Sequence, residues 1–338
     1  MPALSILMPC YNAEMTLEEC LQSLKAQTLV DFEVILVNDG STDNTGKILQ
    51  KWANEDARFK PISLTHGGII RALNAGLSFC KAPYIARMDA DDRCHPDRLA
   101  KQVGYLENNP GVTVVSCLVQ GFPQEQVRQG FQIYIEWLNS LVEDAEIRRE
   151  IFIESPLAHP SVTYRRRAIL EAGGYQEHGW AEDYDLWLRL YLAGARFGKV
   201  PQVLLEWREY PQRLTRTDSR YSLENFLRAK AHYLTQGPLS DRDAIIIWGA
   251  GMIGRRLSKH LKRQNCPLRG FIDIDRRKIG RFRYGLPILS PTALPSLLAA
   301  CQKPIVLAAV GARGARQLIR QQLNAMELEE GQDWLGVA

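Results

Sequence analysis

The 338-residue sequence predicts an α/β protein, a mostly parallel sheet flanked by helices and followed by a second, smaller α/β domain. Three observations carry that expectation. Short apolar runs alternate with stretches of helical period through the first 120 residues, and strand–helix alternation of this kind implies parallel strands with both sheet faces covered. Gly237, Pro238, Ser240 and Asp241 then cluster as a linker. A new apolar run follows, with a glycine-rich turn behind it. The length favours two domains, here residues 1–239 and 240–338.

In chain order, "LSILMPC" reads as a strand and "MTLEECLQSLKAQ" as a helix. "FEVILVND" is a second strand, followed by a helix through "STDNTGKILQKWANE" that Ser41 or Thr42 can cap. "FKPISL" is a short strand, "GGIIRALNAGLSFC" a helix, "APYIARM" a strand, "HPDRLAKQVGYLENN" a helix and "GVTVVSCLV" a strand. Periodicity weakens from about 121 to 180, apart from the amphipathic stretch "FQIYIEWLNSLV". Helices are expected again in "AEDYDLWLRLYLAGA" and "RYSLENFLRAKAHYLTQG". Beyond the linker, "AIIIWGAGMIGRRLSKHL" reads as strand, turn and helix, and "LRGFIDID" as a strand.

Composition narrows the class. An apolar share of 46% and a charged share of 24% are those of a globular protein, and no apolar run approaches the roughly 20 residues of a membrane span. The N-terminus lacks a basic region before its apolar run, so no signal peptide is expected. The seven cysteines (10, 20, 80, 94, 117, 266 and 301) form no C-x-x-C pair and no zinc spacing, a pattern that fits reduced, mostly buried thiols in a cytoplasmic protein. The net charge of +4 hides an asymmetry: from Ser240 onward 16 Lys/Arg face 8 Asp/Glu, a balance of +8 against −4 for the rest. A basic domain can meet anionic ligands or a membrane surface, or simply be a solvated face, but no nucleic-acid-binding signature accompanies it.

In open α/β sheets ligands bind beyond the carboxyl ends of the strands. Those ends carry Tyr11 and Asn12, then Asn38 and Asp39, then Asp89, Asp91 and Asp92. Three carboxylates within four residues repel unless a cation sits among them. An acidic turn in solvent tolerates that; an Mg²⁺ or Mn²⁺ site exploits it, because carboxylate oxygens suit both ions. Asp89-Ala90-Asp91 is a D-x-D at a strand end, and a divalent ion there would neutralise a leaving diphosphate.

"LSILMPCYNAEMTLEECLQSLKAQTLVDFEVILVNDGSTDNT", "IIRALNAGLSFC", "ARMDADDRCHPDRLAKQ" and "EDYDLWLRL" occur in that order, and together they closely resemble the family 2 glycosyltransferases, inverting enzymes of the GT-A fold. The resemblance covers roughly residues 3–210. It implies a nucleotide-sugar donor and a glycan or lipid-linked acceptor, with room for peripheral contact at the cytoplasmic membrane face. Pro9 and Tyr11 match the first nucleotide-binding turn, where the tyrosine ring lies against the donor base. Asp39 matches an aspartate that accepts a hydrogen bond from the base, with Asn38 where relatives often carry another acid. Arg71 matches a basic residue near the donor phosphates or base. Asp89 is implied at the ribose or the metal and Asp91 at the metal, while Asp92 is expected to cap the following segment. In "EDYDLWLRL", Glu182 and Asp183 match the family's E-D pair, and the resemblance makes Asp183 the general base of a single in-line displacement. His159 in an H-P pair is implied at the sugar or diphosphate, with a loop-holding histidine as the alternative, and Arg165, Arg166 and Arg167 are expected to be mostly solvated, with one of them open to facing phosphate.

In the second domain Gly249, Gly251 and Gly254 form G-x-G-x-x-G between a strand and a helix, with Asp273 and Asp275 some twenty residues on. That is the dinucleotide fingerprint, and the domain resembles small Rossmann-like modules attached to some sugar-modifying enzymes. Docking, structural support and nucleotide binding all remain open for it. Two rival functions are a nucleotidyltransferase and an NAD(P)-dependent oxidoreductase built on the second domain. The first calls for a Gly-rich, Arg/Lys-bearing loop after the first strand, which "MPCYNAEMTL" lacks; the second calls for a hydride-transfer residue pattern, which is absent. A catalytically dead binding module is a third, against which Asp91 and Asp183 stand.

Overall fold

The computed structural model describes residues 1–338, and the chain divides into two compact units. The first holds Met1–Ile147, Pro156–His178 and Glu182–Thr217; the second holds Arg148–Ser155, Gly179–Ala181 and Asp218–Ala338. The helix Leu223–Gln236, read from sequence with the first domain, groups with the second unit.

The first unit is an eight-stranded sheet of β1 (Leu4–Cys10), β2 (Phe32–Asp39), β3 (Phe59–Leu64), β4 (Tyr84–Arg87), β5 (Arg93–Cys94), β6 (Val112–Phe122), β7 (Thr163–Arg165) and β8 (Arg196–Arg208). Its order is β3-β2-β1-β4-β7-β6-β8-β5. The β3-β2-β1-β4 half is parallel. Its register sets Cys10 beside Asn38 and Asp39 beside Leu64, so the carboxyl ends open on one edge. β7 is antiparallel to both β4 and β6, which places the motifs after residue 158 beside the acidic turn's own strand.

Helices over Leu17–Lys25, Thr45–Glu55, Ile69–Phe79 and Arg98–Asn108 follow the sequence periods. Leu17, Cys20, Leu21 and Leu24 recur at helical spacing and are buried; each such leucine contributes about 1.5–3 kcal/mol over an exposed one. Neither Ser41 nor Thr42 caps the second helix. It starts at Thr45, whose N–H is accepted by Asp43, while the Ser41 hydroxyl accepts the Asn12 N–H and laces the first two loops together. The 13-residue β8 was not legible, because Pro201 interrupts its pattern and its pairing with β6 shifts register.

The second unit is a six-stranded sheet of β9 (Ala244–Trp248), β10 (Leu268–Ile272), β11 (Phe282–Arg283), β12 (Leu286–Leu289), β13 (Pro304–Ala308) and β14 (Trp334–Gly336), in the order β11-β12-β10-β9-β13-β14. All pairs but β11–β12 are parallel. β9 is buried along its whole length and lies between β10 and β13, so the strand order reverses at its carboxyl end. Lys230 is buried in this unit, donating to the carbonyls of Ile153 and Val337, and burial pulls its ammonium down to about 8.

All seven cysteines are unpaired; the five in the first unit are buried, and Cys266 and Cys301 in the second are half-buried. No helix is long and apolar enough to cross a membrane.

Candidate active site

β4 runs Tyr84-Ile85-Ala86-Arg87 into the acidic turn. The carboxylates of Asp89, Asp91 and Asp92 come within 4.8 Å of one another. Asp89 is held from β4, and the other two from the segment that ends and follows β8. Asp89 accepts from the Arg87 guanidinium, and the Tyr210 hydroxyl hydrogen-bonds Asp91. Asp92 Oδ1 accepts the Arg208 N–H at 2.8 Å, at the end of β8. Asp92 was expected to cap the segment that follows it; it bonds β8 instead, because the strand's last amide would otherwise be left without a partner.

Burial, and then the charge of Asp89, push the Asp91 carboxyl up. Burial, then Asp91 and Asp89, push that of Asp92 well up. Asp92 Oδ2 is buried with no hydrogen-bond partner. An orphaned carboxylate oxygen within a set of all-oxygen donors is what Mg²⁺ or Mn²⁺ binding would satisfy, so the turn fits the ion.

At the other end of the edge, Tyr11 follows β1 and is 48% exposed. Its ring stacks on His66, with centroids 4.2 Å apart and planes at 22°. Pro9, inside β1, pairs with Val37. Asp39 is buried and holds the loop before the third helix: Oδ1 accepts the Gly67 N–H at 3.0 Å and Oδ2 the Gly68 N–H at 2.8 Å. His66 Nδ1 lies 2.9 Å from Oδ2. Gly68 has φ +85°, which a side chain would strain, and it lets both amides face the carboxylate. Asp39 thus orders a helix N-terminus, a favourable place for an anion, as well as facing the Tyr11 side. Arg71 is exposed and folds back onto Thr65, bonding its carbonyl at 3.1 Å.

The E-D pair opens the helix Glu182–Leu192, whose first turn carries Glu182, Asp183 and Asp185. Asp185 is fully buried and pairs with Arg189 at 2.7 Å, which leaves it a structural job. Burial and the neighbouring Glu182 push the Asp183 carboxyl up to about 8, while the Tyr184 N–H and the charge of Arg87 draw it down. His159 is buried; its Nε2 is 2.8 Å from the Tyr175 hydroxyl and its Nδ1 3.9 Å from Glu182. Burial and Arg87 push its imidazole well below the usual range, so it is neutral. Arg165 and Arg166 are half-buried rather than solvated because they bond main-chain carbonyls, while Arg167 is exposed and pairs with Glu171, so none of the three is spare for phosphate.

Arg87 joins the two carboxylate sets. It is 1% exposed, bonds Asp89, and its charge acts on Glu182 and Asp183. Sequence reasoning passed over it, although an arginine inside an apolar strand is anomalous enough to flag, since arginine is rarely buried without a partner. Tyr210, Arg208 and Arg213 were also missed. Arg213 sits over the Trp207 and Phe131 rings, and its charge draws the Asp91 carboxyl down. No local signal ties these residues to a turn more than a hundred positions earlier.

The sequence matches the family model "Glycosyl transferase family 2" over residues 5–174. It is 35% identical over 212 residues to the amylovoran biosynthesis glycosyltransferase AmsE of Erwinia amylovora, spanning 60% of this chain and 75% of that one. It is 28% identical over 250 residues to the Escherichia coli UDP-Gal:alpha-D-GlcNAc-diphosphoundecaprenol beta-1,3-galactosyltransferase, spanning 72% and 88%. The structure is similar to S. aureus TarS 1-349 in complex with UDP-GlcNAc, with a TM-score of 0.57 at 20% identity, covering 77% of this chain and 72% of that one, which establishes a shared fold. Neither the nucleotidyltransferase nor the oxidoreductase reading is favoured by these matches. With the family model running from β1 through β7 and taking in the acidic turn after β4, the chain belongs to glycosyl transferase family 2 and is a glycosyltransferase.

Proposed function

We propose that the chain moves a sugar from a nucleoside-diphosphate sugar to a hydroxyl of a lipid-linked glycan, by a single displacement that inverts the anomeric carbon. The observation that carries this reading is the buried Arg87, which puts the acidic turn and Asp183 under one charge. The acidic turn holds the diphosphate end and Asp183 the acceptor end. Asp89, Asp91 and Asp92 would hold the divalent ion, which, when bound, neutralises the leaving diphosphate. The remaining work belongs to the chain's own groups. Tyr11 offers its exposed ring to the donor base, and the loop ordered by Asp39 sets that ring's neighbour His66. Arg71, bonded to Thr65 of the same loop, is the basic residue for the donor phosphates or base. Asp183 takes the proton from the acceptor hydroxyl; a carboxyl pushed up toward neutrality is a stronger base than an ordinary aspartate once ionised. Glu182, buried beside it, raises Asp183 by like-charge repulsion. His159 supports this wall through Tyr175.

The acceptor class rests on the E. coli relative, whose name gives a diphosphoundecaprenol-linked sugar as acceptor. Such an acceptor puts the reaction at the cytoplasmic face of a membrane and the product in polysaccharide assembly. The test is to supply UDP- and GDP-sugars with a lipid-diphosphate sugar acceptor and Mn²⁺, then read the new linkage by NMR. Inverted configuration is expected. Retained configuration overturns the single displacement, and transfer undiminished in EDTA overturns the metal assignment.

A further inference from the structure

The second unit's glycine turn contains an asymmetry. Gly249 has φ +116°, and a Cβ there would meet Val310 at 2.6 Å and the Ala309 carbonyl at 2.9 Å. A Cβ on Gly254 would lie 2.0 Å from the Gly249 carbonyl oxygen. Both glycines are required by the fold itself. Gly251 is not: its φ of −79° and ψ of −166° suit any residue, and nothing lies within 4 Å of where its Cβ would be. The protein leaves that space open without a packing reason.

Two cavities adjoin it, both lined by residues of this unit alone. One, of about 540 Å³, lies at the carboxyl ends of β9, β10 and β13 and is walled by residues that include Trp248, Ile274, Val310 and Leu318. That volume is within the range of small-ligand sites, roughly 300–1,000 Å³. Met252, Ile274 and Leu318 line it and stand 51%, 72% and 61% exposed, an apolar rim with no protein cover. The other cavity, of about 150 Å³, is lined by Arg255, Lys278, Arg281 and Arg283 with no carboxylate among its walls. Lys278 is paired with Asp273 at 2.9 Å, but Arg255, Arg281 and Arg283 make no ion pair. Gly251 and Lys278 line both cavities, so the apolar and basic chambers meet at the bare glycine and the start of the helix Met252–Arg263.

We infer that the second unit is a binding site for a nucleoside diphosphate or one of its esters, separate from the transferase site. The base and its ribose occupy the apolar chamber. The diphosphate crosses in front of Gly251, where free N–H groups of the helix start meet it, and ends against the three unpaired arginines. Asp273 takes no part in ribose recognition: its carboxylate accepts the N–H groups of Ala250 at 2.9 Å and Asp275 at 2.9 Å, which stiffens the turn from inside. Asp275, at the cavity wall, is the carboxylate placed for the ribose hydroxyls.

The experiment uses the full chain carrying Asp91→Ala, in EDTA, so that metal-dependent binding at the first unit is removed. UDP, GDP, ADP, NADH and inorganic pyrophosphate are titrated separately by calorimetry. One equivalent of at least one nucleotide is expected to bind, and the tightest arm identifies the base and whether the ligand is a mononucleotide or a dinucleotide. Adding Gly251→Val should weaken that binding at least about tenfold with the unliganded melting temperature unchanged. Arg281→Glu with Arg283→Glu, both on the surface, should weaken it by a similar factor and serves if the valine variant fails to fold. Absence of nucleotide binding at millimolar concentration overturns the inference. So does undiminished binding in both sets of variants, or pyrophosphate binding as tightly as every nucleotide.

Discussion

Two turns in this chain leave a sheet strand at its carboxyl end, and on our proposals they meet anionic ligands by opposite means. The turn after β4 presents three carboxylates and, on our proposal, takes a cation between itself and a diphosphate. The turn after β9 presents glycine and main-chain N–H groups, with unpaired arginines beside it, and on our reading needs none. On these two proposals the carboxylate turn is switchable by chelation and titration, whereas the glycine turn depends on shape. A turn that holds its ligand through an ion can release it with the ion. A turn that holds it through missing atoms is lost only by filling the gap.

The largest effect should come from breaking the ionic side of this contrast. Asp91→Ala is expected to lower transfer by at least about 10³-fold, reflecting the several kcal/mol a Lewis acid supplies, and to abolish Mn²⁺-dependent nucleoside-diphosphate binding. Because burial among like charges already disfavours its ionised form, the fold should survive the change, which circular dichroism checks.

Asp183→Asn should come next. Transfer is expected to fall by about 10²–10⁴-fold with donor affinity unchanged in calorimetry. The acid limb of the wild-type pH–kcat/KM profile, centred near 8, should vanish in the variant. The stability sign runs the other way from activity. The folded carboxyl keeps its proton up to about 8 while the unfolded one ionises near its ordinary value, so stability is lost as pH rises between the two, and the loss is absent below the unfolded value. The asparagine variant should therefore melt at least about 2–4 °C above wild type at pH 8 and level with it near pH 4, in EDTA without donor.

Arg87→Gln sharpens the link between the two carboxylate sets. With its cation gone, the acid limb should move to higher pH and manganese affinity should change, since the charge beside Asp89 is lost while the carboxylates remain. A profile that stays in place would separate Asp183 from the acidic turn. The smallest effect is expected from His66→Ala, which removes the stacked partner of Tyr11. Donor KM should rise by up to about tenfold, the size of one aromatic contact, with kcat nearly unchanged.

What was legible in sequence follows from how local each feature is. Phe32–Asp39 was read to its ends because eight residues carry their own pattern, and the helices declared themselves by period. Asp91 and Asp183 stood in short motifs. Arg87, Tyr210 and Arg208 did not, because their meaning arises only when β8 returns to the turn: Arg208 reaches Asp92 from 116 residues away. Asp39 was noticed, yet its bonds to Gly67 and Gly68 were not, since a carboxylate's partners belong to the folded loop rather than to a D-G pair. In the second unit the three glycines were read as one fingerprint. Only coordinates separate the two that packing demands from the one it does not.

The cysteines give the two units different clocks. Burial pushes the thiols of Cys80 and Cys117 up to about 12 and Cys10, Cys20 and Cys94 upward as well, so the first unit exposes almost no reactive thiolate while folded. Cys266 and Cys301 lie half-open in the second. An alkylating reagent should mark those two sulfurs early and reach the other five only when their sheet opens. A peptide map of alkylation against time would then report, from one untagged and unmutated sample, how often each half of the molecule breathes.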